Sequence, residues 1–441
     1  LASSNPIHAL LRSNAFTATV ILAFANGLAN VANYAYQVLM AQMLSPAEFG
    51  TLATLLAVFA IVSVLSPGYQ LAAAKFISVL HAAQNVAAIR PFWSHLLRQA
   101  WVVGGLVACG VLALSPILMW FLNIGSINLW VLVAIGATVS FVVPVNIGVL
   151  QGLQRFKSLA AANLGPTLIK LIGAPLMVGF GLGVAGAFMP ILLGLVAVGS
   201  LTMLAMRHFP KASPDQELPS VKRYLGWTSV AFAGFVILTN VDVLLAKHYL
   251  TATESGAYAA VAVLGRIVLF APAVVSMVMF PKAAAAAERA NAGAQRILAI
   301  SLGATISLAG VVTVTYWLLP NEIVTLTMGA GYIQVAPLIA PYGLAMGLMA
   351  LTFVLMHYYL ATGRTRVGLA ILLGVLAHIA LTSIYNDDPE ALTQVRLVSS
   401  GVGLFAMVAY GRIQWVKQHL LPPLHIIQWN HESKQEKRVD E

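Results

Sequence analysis

"VLMAQMLSPAEFG" (residues 38–50) and "VLLAKHYLTATESG" (residues 243–256) read as two versions of one segment, the second with one residue inserted. Each leaves an apolar stretch through Leu and a small polar turn, then opens the next stretch with Glu and Gly. The copies lie about 205 residues apart in a chain of 441, and Pro67 and Pro272 fall at nearly equivalent places in the stretches that follow. A repeat at that spacing divides the chain into two halves of similar plan.

Composition says what kind of halves these are. Hydrophobic residues make up 60% of the chain and charged residues 9%, against roughly 25% charged in soluble domains. Apolar runs of about 20 residues recur from end to end, each long enough to cross a hydrocarbon core. They do not alternate apolar with polar, which excludes a transmembrane barrel. The expected fold class is an all-α polytopic membrane protein of about twelve spans, near 15–43, 51–80, 99–122, 128–150, 158–181, 184–206, 225–249, 256–281, 296–319, 335–361, 366–385 and 394–417.

Charge supports this count. Basic residues fall in alternate loops: Arg12, then Arg90 and Arg98, Arg155 and Lys157, Arg207 to Arg223, Lys282 and Arg289, Arg364 and Arg366, and Arg412 with Lys417. The other loops are short and carry Glu48, Glu254, Glu322, Asp387, Asp388 and Glu390, with Arg396 as the basic exception. The positive-inside rule therefore puts both termini in the cytoplasm and accounts for the net charge of +10 without nucleic acid. The first run is too long for a signal peptide. The expected organisation is an N-terminal six-helix lobe (1–206), a cytoplasmic linker (207–224), a C-terminal six-helix lobe (225–417) and a cytoplasmic tail (418–441). Both repeat copies join an odd span to an even one, so the halves have parallel topology, an architecture of transporters.

The stretches "LSPAEFGTLATLLAVFAIVSVLSPGYQLAAAKF", "LQGLQRF" (150–156) and "TNVDVLLAKHYLTATESGAYAAVAVLGRIVLFAPAVVSMVMFPK" resemble the polysaccharide-transporter branch of the multidrug/oligosaccharidyl-lipid/polysaccharide exporter superfamily. The likeness is good over spans one to eight and extends through nine to twelve only in hydropathy. It implies two pseudo-symmetric six-helix lobes in a V around a central cavity. It also implies flipping of undecaprenyl-pyrophosphate-linked oligosaccharide from the cytoplasmic to the outer leaflet of a bacterial inner membrane, with a polysaccharide polymerase and glycosyltransferases as partners. The two extra spans and the cavity arginines of the peptidoglycan-precursor branch are absent.

Ionisable residues inside spans are expensive and therefore functional candidates. Asp242 and Arg266 lie at similar depth on antiparallel neighbours, where they are placed to pair; a structural lock and a coupling site for Na⁺ or H⁺ are both open. Lys170 lies about twelve residues into the fifth span, too deep to snorkel, and has no partner nearby in sequence. Lys170, Arg266 and Lys75 form the expected pyrophosphate site, although Lys75 and Lys247 are near enough to span ends to snorkel. In the first span Asn26, Asn30, Asn33 and Gln37 point within about 60° of one another, with Tyr34 close by, a stripe suited to sugars or to gluing helices together. Pro67 and Pro272 are the candidate hinges.

Other chemistries find little footing. Spans one to six contain no Asp or Glu, which disfavours an ion-coupled multidrug antiporter working through that lobe. Asp387 and Asp388 in "YNDDPE" suit a membrane glycosyltransferase, but their loop reads as a solvated turn and the outer loops are too short for a catalytic domain. Cys109 is the only cysteine, and no zinc motif or phosphate loop appears, so no cofactor or metal is expected. His425 and His431 stand in the mixed-charge tail.

Overall fold

The computed structural model describes residues 14–206, 227–288 and 293–420. The expected linker 207–224, Arg12, Arg289 and the tail histidines lie outside these residues. Every regular element among the described residues is helical. The first half holds α1 (Asn14–Met43), α2 (Pro46–Val62), α3 (Ser66–Ala82), α4 (Val86–Phe121), α5 (Ile127–Gly152), α6 (Phe156–Met177) and α7 (Gly183–Met206). The second holds α8 (Trp227–Tyr249), α9 (Ala252–Gly265), α10 (Phe270–Glu288), α11 (Gly293–Leu318), α12 (Pro320–Thr327), α13 (Ile339–Ala361), α14 (Gly368–Ile384) and α15 (Pro389–Leu420).

Each of the twelve expected spans coincides with a helix or a bent helix. Length and apolarity alone qualify nine stretches, or ten with the bent pair α2 and α3. One of them, Phe156–Met203, is 48 residues long and covers two expected spans. It folds back at a short π-helical segment, Val178–Leu182, where Gly181 (φ +84°) and Gly183 (φ +49°) take left-handed conformations that other residues resist. The helix α1 is not among the nine.

The repeated segment builds the same local structure twice. Ser45 caps α2, its hydroxyl accepting from the Glu48 amide at 3.4 Å while the Glu48 carboxylate accepts from the Ser45 amide at 3.0 Å. Thr251 and Glu254 cap α9 in the same way at 3.3 and 3.1 Å. Such a reciprocal box satisfies amides that the first turn of a helix leaves without partners. Both second spans then break. α2 and α3 meet at a 46° bend, with Pro67 in the first turn of α3, where its missing N–H is not needed. α9 passes through a 3₁₀ turn, Arg266–Leu269, into α10, with Pro272 as its third residue.

Packing repeats as well. α1 packs on α6 as α8 packs on α14, α6 on α7 as α14 on α15, and α3 and α4 on α5 as α10 and α11 on α13. Between the halves, α2 packs against α8 and α9. The halves approach closely at the glycines that end the repeats. A Cβ on Gly50 would lie 2.8 Å from the backbone of Gly256, and one on Gly256 would lie 1.8 Å from the Pro46 carbonyl oxygen. The two copies of the sequence repeat thus touch each other at one end of the molecule, here termed the turn end; the end at which α7 finishes and α8 begins is termed the linker end.

Candidate functional site

Asp242 stands two-thirds of the way along α8, and its side chain is fully buried. Its partner is Arg396 of α15, with Nε 3.8 Å from Oδ2 and no exposure of either side chain. This corrects the expected pairing with Arg266. Arg266 acts on the carboxylate from a distance, but its Nη2 donates to the Thr239 carbonyl oxygen at 2.9 Å. Two phenols complete the node: Tyr342 of α13 donates to Oδ2 at 2.5 Å and Tyr258 of α9 at 3.4 Å. Arg396 Nη1 donates to the Leu238 carbonyl at 2.5 Å. His378 of α14, also buried, meets the Ser399 hydroxyl at 2.8 Å. Three helices, α9, α13 and α15, therefore bring side chains to the carboxylate that α8 carries. A buried charge needs both a counter-charge and hydrogen bonds; Oδ2 receives both, whereas Oδ1 has no partner among the described residues.

Sequence reasoning passed over Arg396, Tyr342, Tyr258 and His378. A signal for Arg396 was available: it broke the charge alternation because it stands seven residues inside α15, where it belongs to the helix interior and to no loop. The tyrosines carry no such mark, because buried tyrosine is common in any bundle.

In the first half the amide stripe of α1 faces α6 with two rungs. Asn26 Oδ1 accepts from Asn163 Nδ2 at 3.1 Å, and Asn33 Oδ1 accepts from Lys170 Nζ. Within each helix the two residues are two turns apart, so they share a face. The Lys170 ammonium also lies 4.4 Å from the centre of the Tyr36 ring, a cation–π distance. Lys170 therefore has partners, 137 residues away in sequence for Asn33. Asn30 is exposed, while Gln37 and Tyr34 are half-buried. Lys75 is exposed, 5.9 Å from the centre of the Phe76 ring. The three expected cations thus stand on α3, α6 and the turn before α10, and the partners seen for Lys170 and Arg266 belong to opposite halves.

Lys247 does not snorkel. It is buried and donates to the Thr51 hydroxyl of α2 at 3.1 Å, across the halves. Beside it the His248 ring stacks on Phe121 at 4.0 Å and 13°, with Nδ1 2.7 Å from the Phe121 carbonyl oxygen. Gln42 Nε2 donates to the Thr327 carbonyl at 2.9 Å. These contacts surround the Gly50–Gly256 crossing and close the turn end.

The profile of the family described as "Polysaccharide biosynthesis protein" matches residues 39–337, about two-thirds of the chain. The chain belongs to that family. No curated protein matches this family member closely. Its fold is that of solved transporters. An inward-facing multidrug-resistance MATE transporter of the MOP superfamily superposes with a TM-score of 0.74 at 13% identity, over 91% of this chain and 99% of that one. The lipid II flippase MurJ in an inward closed conformation gives 0.70 at 14%, over 89% and 87%. An outward-facing MATE transporter gives 0.65 at 13%, over 92% and 97%.

Proposed function

We propose that this protein flips a lipid-linked oligosaccharide, carried on undecaprenyl pyrophosphate, from the cytoplasmic to the outer leaflet of a bacterial inner membrane. The two lobes, residues 1–206 and 225–417, rock against each other across the linker and expose a site between them to each side in turn. Both termini and the linker face the cytoplasm, as the loop charges require. Glycosyltransferases supply the cargo and a polymerase consumes it.

The observation that carries this reading is the closure at the turn end, where two glycine-bearing repeats cross and Lys247, Gln42 and His248 bridge the halves. A closed end facing outward fits an inward-facing state, in keeping with the better superposition on the inward-facing MATE transporter. Lys170, held by an amide and an aromatic face within the membrane, has a cationic head that a pyrophosphate can claim in their place. Asn30 and the remaining amides offer hydrogen bonds to sugar. Coupling to Na⁺ or H⁺ through Asp242 requires Arg396 to release the carboxylate, because its charge is already met.

The test is complementation of a strain lacking the protein and its surface glycan. Lys170→Ala and Arg266→Ala each abolish surface glycan while the protein stays at its normal level in the membrane. Normal glycan from both variants sinks the anion-site reading.

A further inference from the structure

Between α10 and α11, near the linker end, runs a groove of about 360 Å³ lined by Val275, Val278 and Met279 on one side and Ile297, Ile300 and Ala304 on the other. A single charge interrupts this lining, that of Lys282. The hydroxyl of Ser301, the other polar group in the wall, is spent on the Ile297 carbonyl at 2.9 Å. Lys282 is exposed and makes no ion pair among the described residues.

The order of these groups along the helix matters. From Val275 to Lys282 the groove extends about 10 Å along α10 at 1.5 Å per residue. Its apolar part lies toward the middle of the span and its ammonium toward the linker end. That is the polarity of an amphiphile lying with its chain in the bilayer and its anionic head at the surface. Bilayer tails are as apolar as valine or isoleucine, so burial from lipid supplies no hydrophobic drive. Selection must come from shape along the walls and from charge at the mouth. Branched Val and Ile side chains with a Met among them make a ridged wall, which a methyl-branched chain fills better than a straight saturated one.

We propose that this groove seats the polyprenyl chain of the cargo, with Lys282 holding its phosphate at the cytoplasmic surface before the head enters between the lobes. The inference rests on the lipid-linked cargo proposed above. A cation then stands at each end of the path, Lys282 on α10 at the mouth and Arg266 in the turn that precedes this helix.

Binding of undecaprenyl phosphate to the purified full chain in detergent tests this, read by native mass spectrometry in competition with phosphatidic acid, a straight-chain phospholipid with the same phosphate monoester head. The wild type retains the polyprenyl phosphate in preference to the phospholipid. Ile300→Trp, which fills the groove, and Lys282→Ala, which removes the charge, each lower its retention about tenfold; both variants are scored as monodisperse protein. Equal retention of the two lipids by the wild type overturns the proposal in favour of an ordinary lipid contact. Unchanged retention by a folded Ile300→Trp or Lys282→Ala also overturns it. The same variants in the complementation strain separate the two ideas. Glycan export that depends on the protein, with groove variants binding like the wild type, removes the groove and keeps the flippase. Groove-dependent lipid binding without any glycan defect on deletion does the reverse.

Discussion

Adding one methyl group at the crossing of α2 and α9 should open the turn end. A Cβ on Gly256 would lie 1.8 Å from the Pro46 carbonyl oxygen and 2.5 Å from its carbon, both of them backbone atoms that no rotamer change can move away. In Gly256→Ala the two halves must separate locally or the helix must shift. Overpacking of this kind costs typically 1–3 kcal/mol. The clash exists only when the halves are together, so the cost falls on the closed form alone. A penalty of about 2 kcal/mol moves the ratio of open to closed molecules by about 30-fold. The assay is the rate at which a membrane-impermeant maleimide labels Ser255→Cys from outside whole cells, with Cys109 replaced by Ser. Ser255 is 3% exposed in the closed form, so labelling reports opening. Adding Gly256→Ala should raise the rate by one to two orders of magnitude, up to the limit set by a fully open end. Gly303→Ala, at a glycine with nothing within 4 Å of an added Cβ, should leave it unchanged. Gly50→Ala acts at the same contact, so combining it with Gly256→Ala should give less than the sum. A Gly256→Ala rate within twofold of the parent, in protein present at its normal level, refutes the reasoning.

Two further outcomes follow from the buried polar groups. Asp242→Asn or Arg396→Met alone leaves an uncompensated buried charge and should cost about 3–5 kcal/mol, whereas the double variant should recover most of the thermal stability in a detergent melt. A double variant no more stable than the singles would show that the pair is not what holds these helices. In the α1 stripe, Cys at 30 should react with a small water-soluble thiol reagent faster than Cys at 26 or 33, because Asn30 is exposed while Asn26 and Asn33 face α6. Equal rates at the three positions would contradict the rung arrangement.

Much of the fold was legible because it is local. A span shows as a run of apolar residues, and a capped turn shows as Ser or Thr three residues before Glu, since each depends on neighbours within one or two turns. Ser45 with Glu48 and Thr251 with Glu254 cap the helices that leave the two predicted turns, four or five residues before the expected spans begin. The amide stripe was likewise visible as a face. Its division into partnered Asn26 and Asn33 and exposed Asn30 was not, because that depends on which neighbouring helix the face meets. The same blindness misassigned Asp242 to Arg266. Equal depth on adjacent helices is a necessary condition for pairing, but the rotation of each helix decides which side chain arrives. Arg396 arrived from the last span, on a helix that packs against α13 and α14.

Hydropathy, loop charge and the repeat at 38–50 and 243–256 were by themselves enough to determine a helical membrane protein of two like halves. Those properties are additive along the chain: each residue contributes its own transfer energy whatever its distant neighbours do. Which glycines touch, which arginine neutralises the buried acid and where Lys170 finds its amide were decided only by tertiary structure. These are pairwise contacts of a few ångströms between residues more than a hundred positions apart, and they exist only once packing has set the rotation and crossing of every helix.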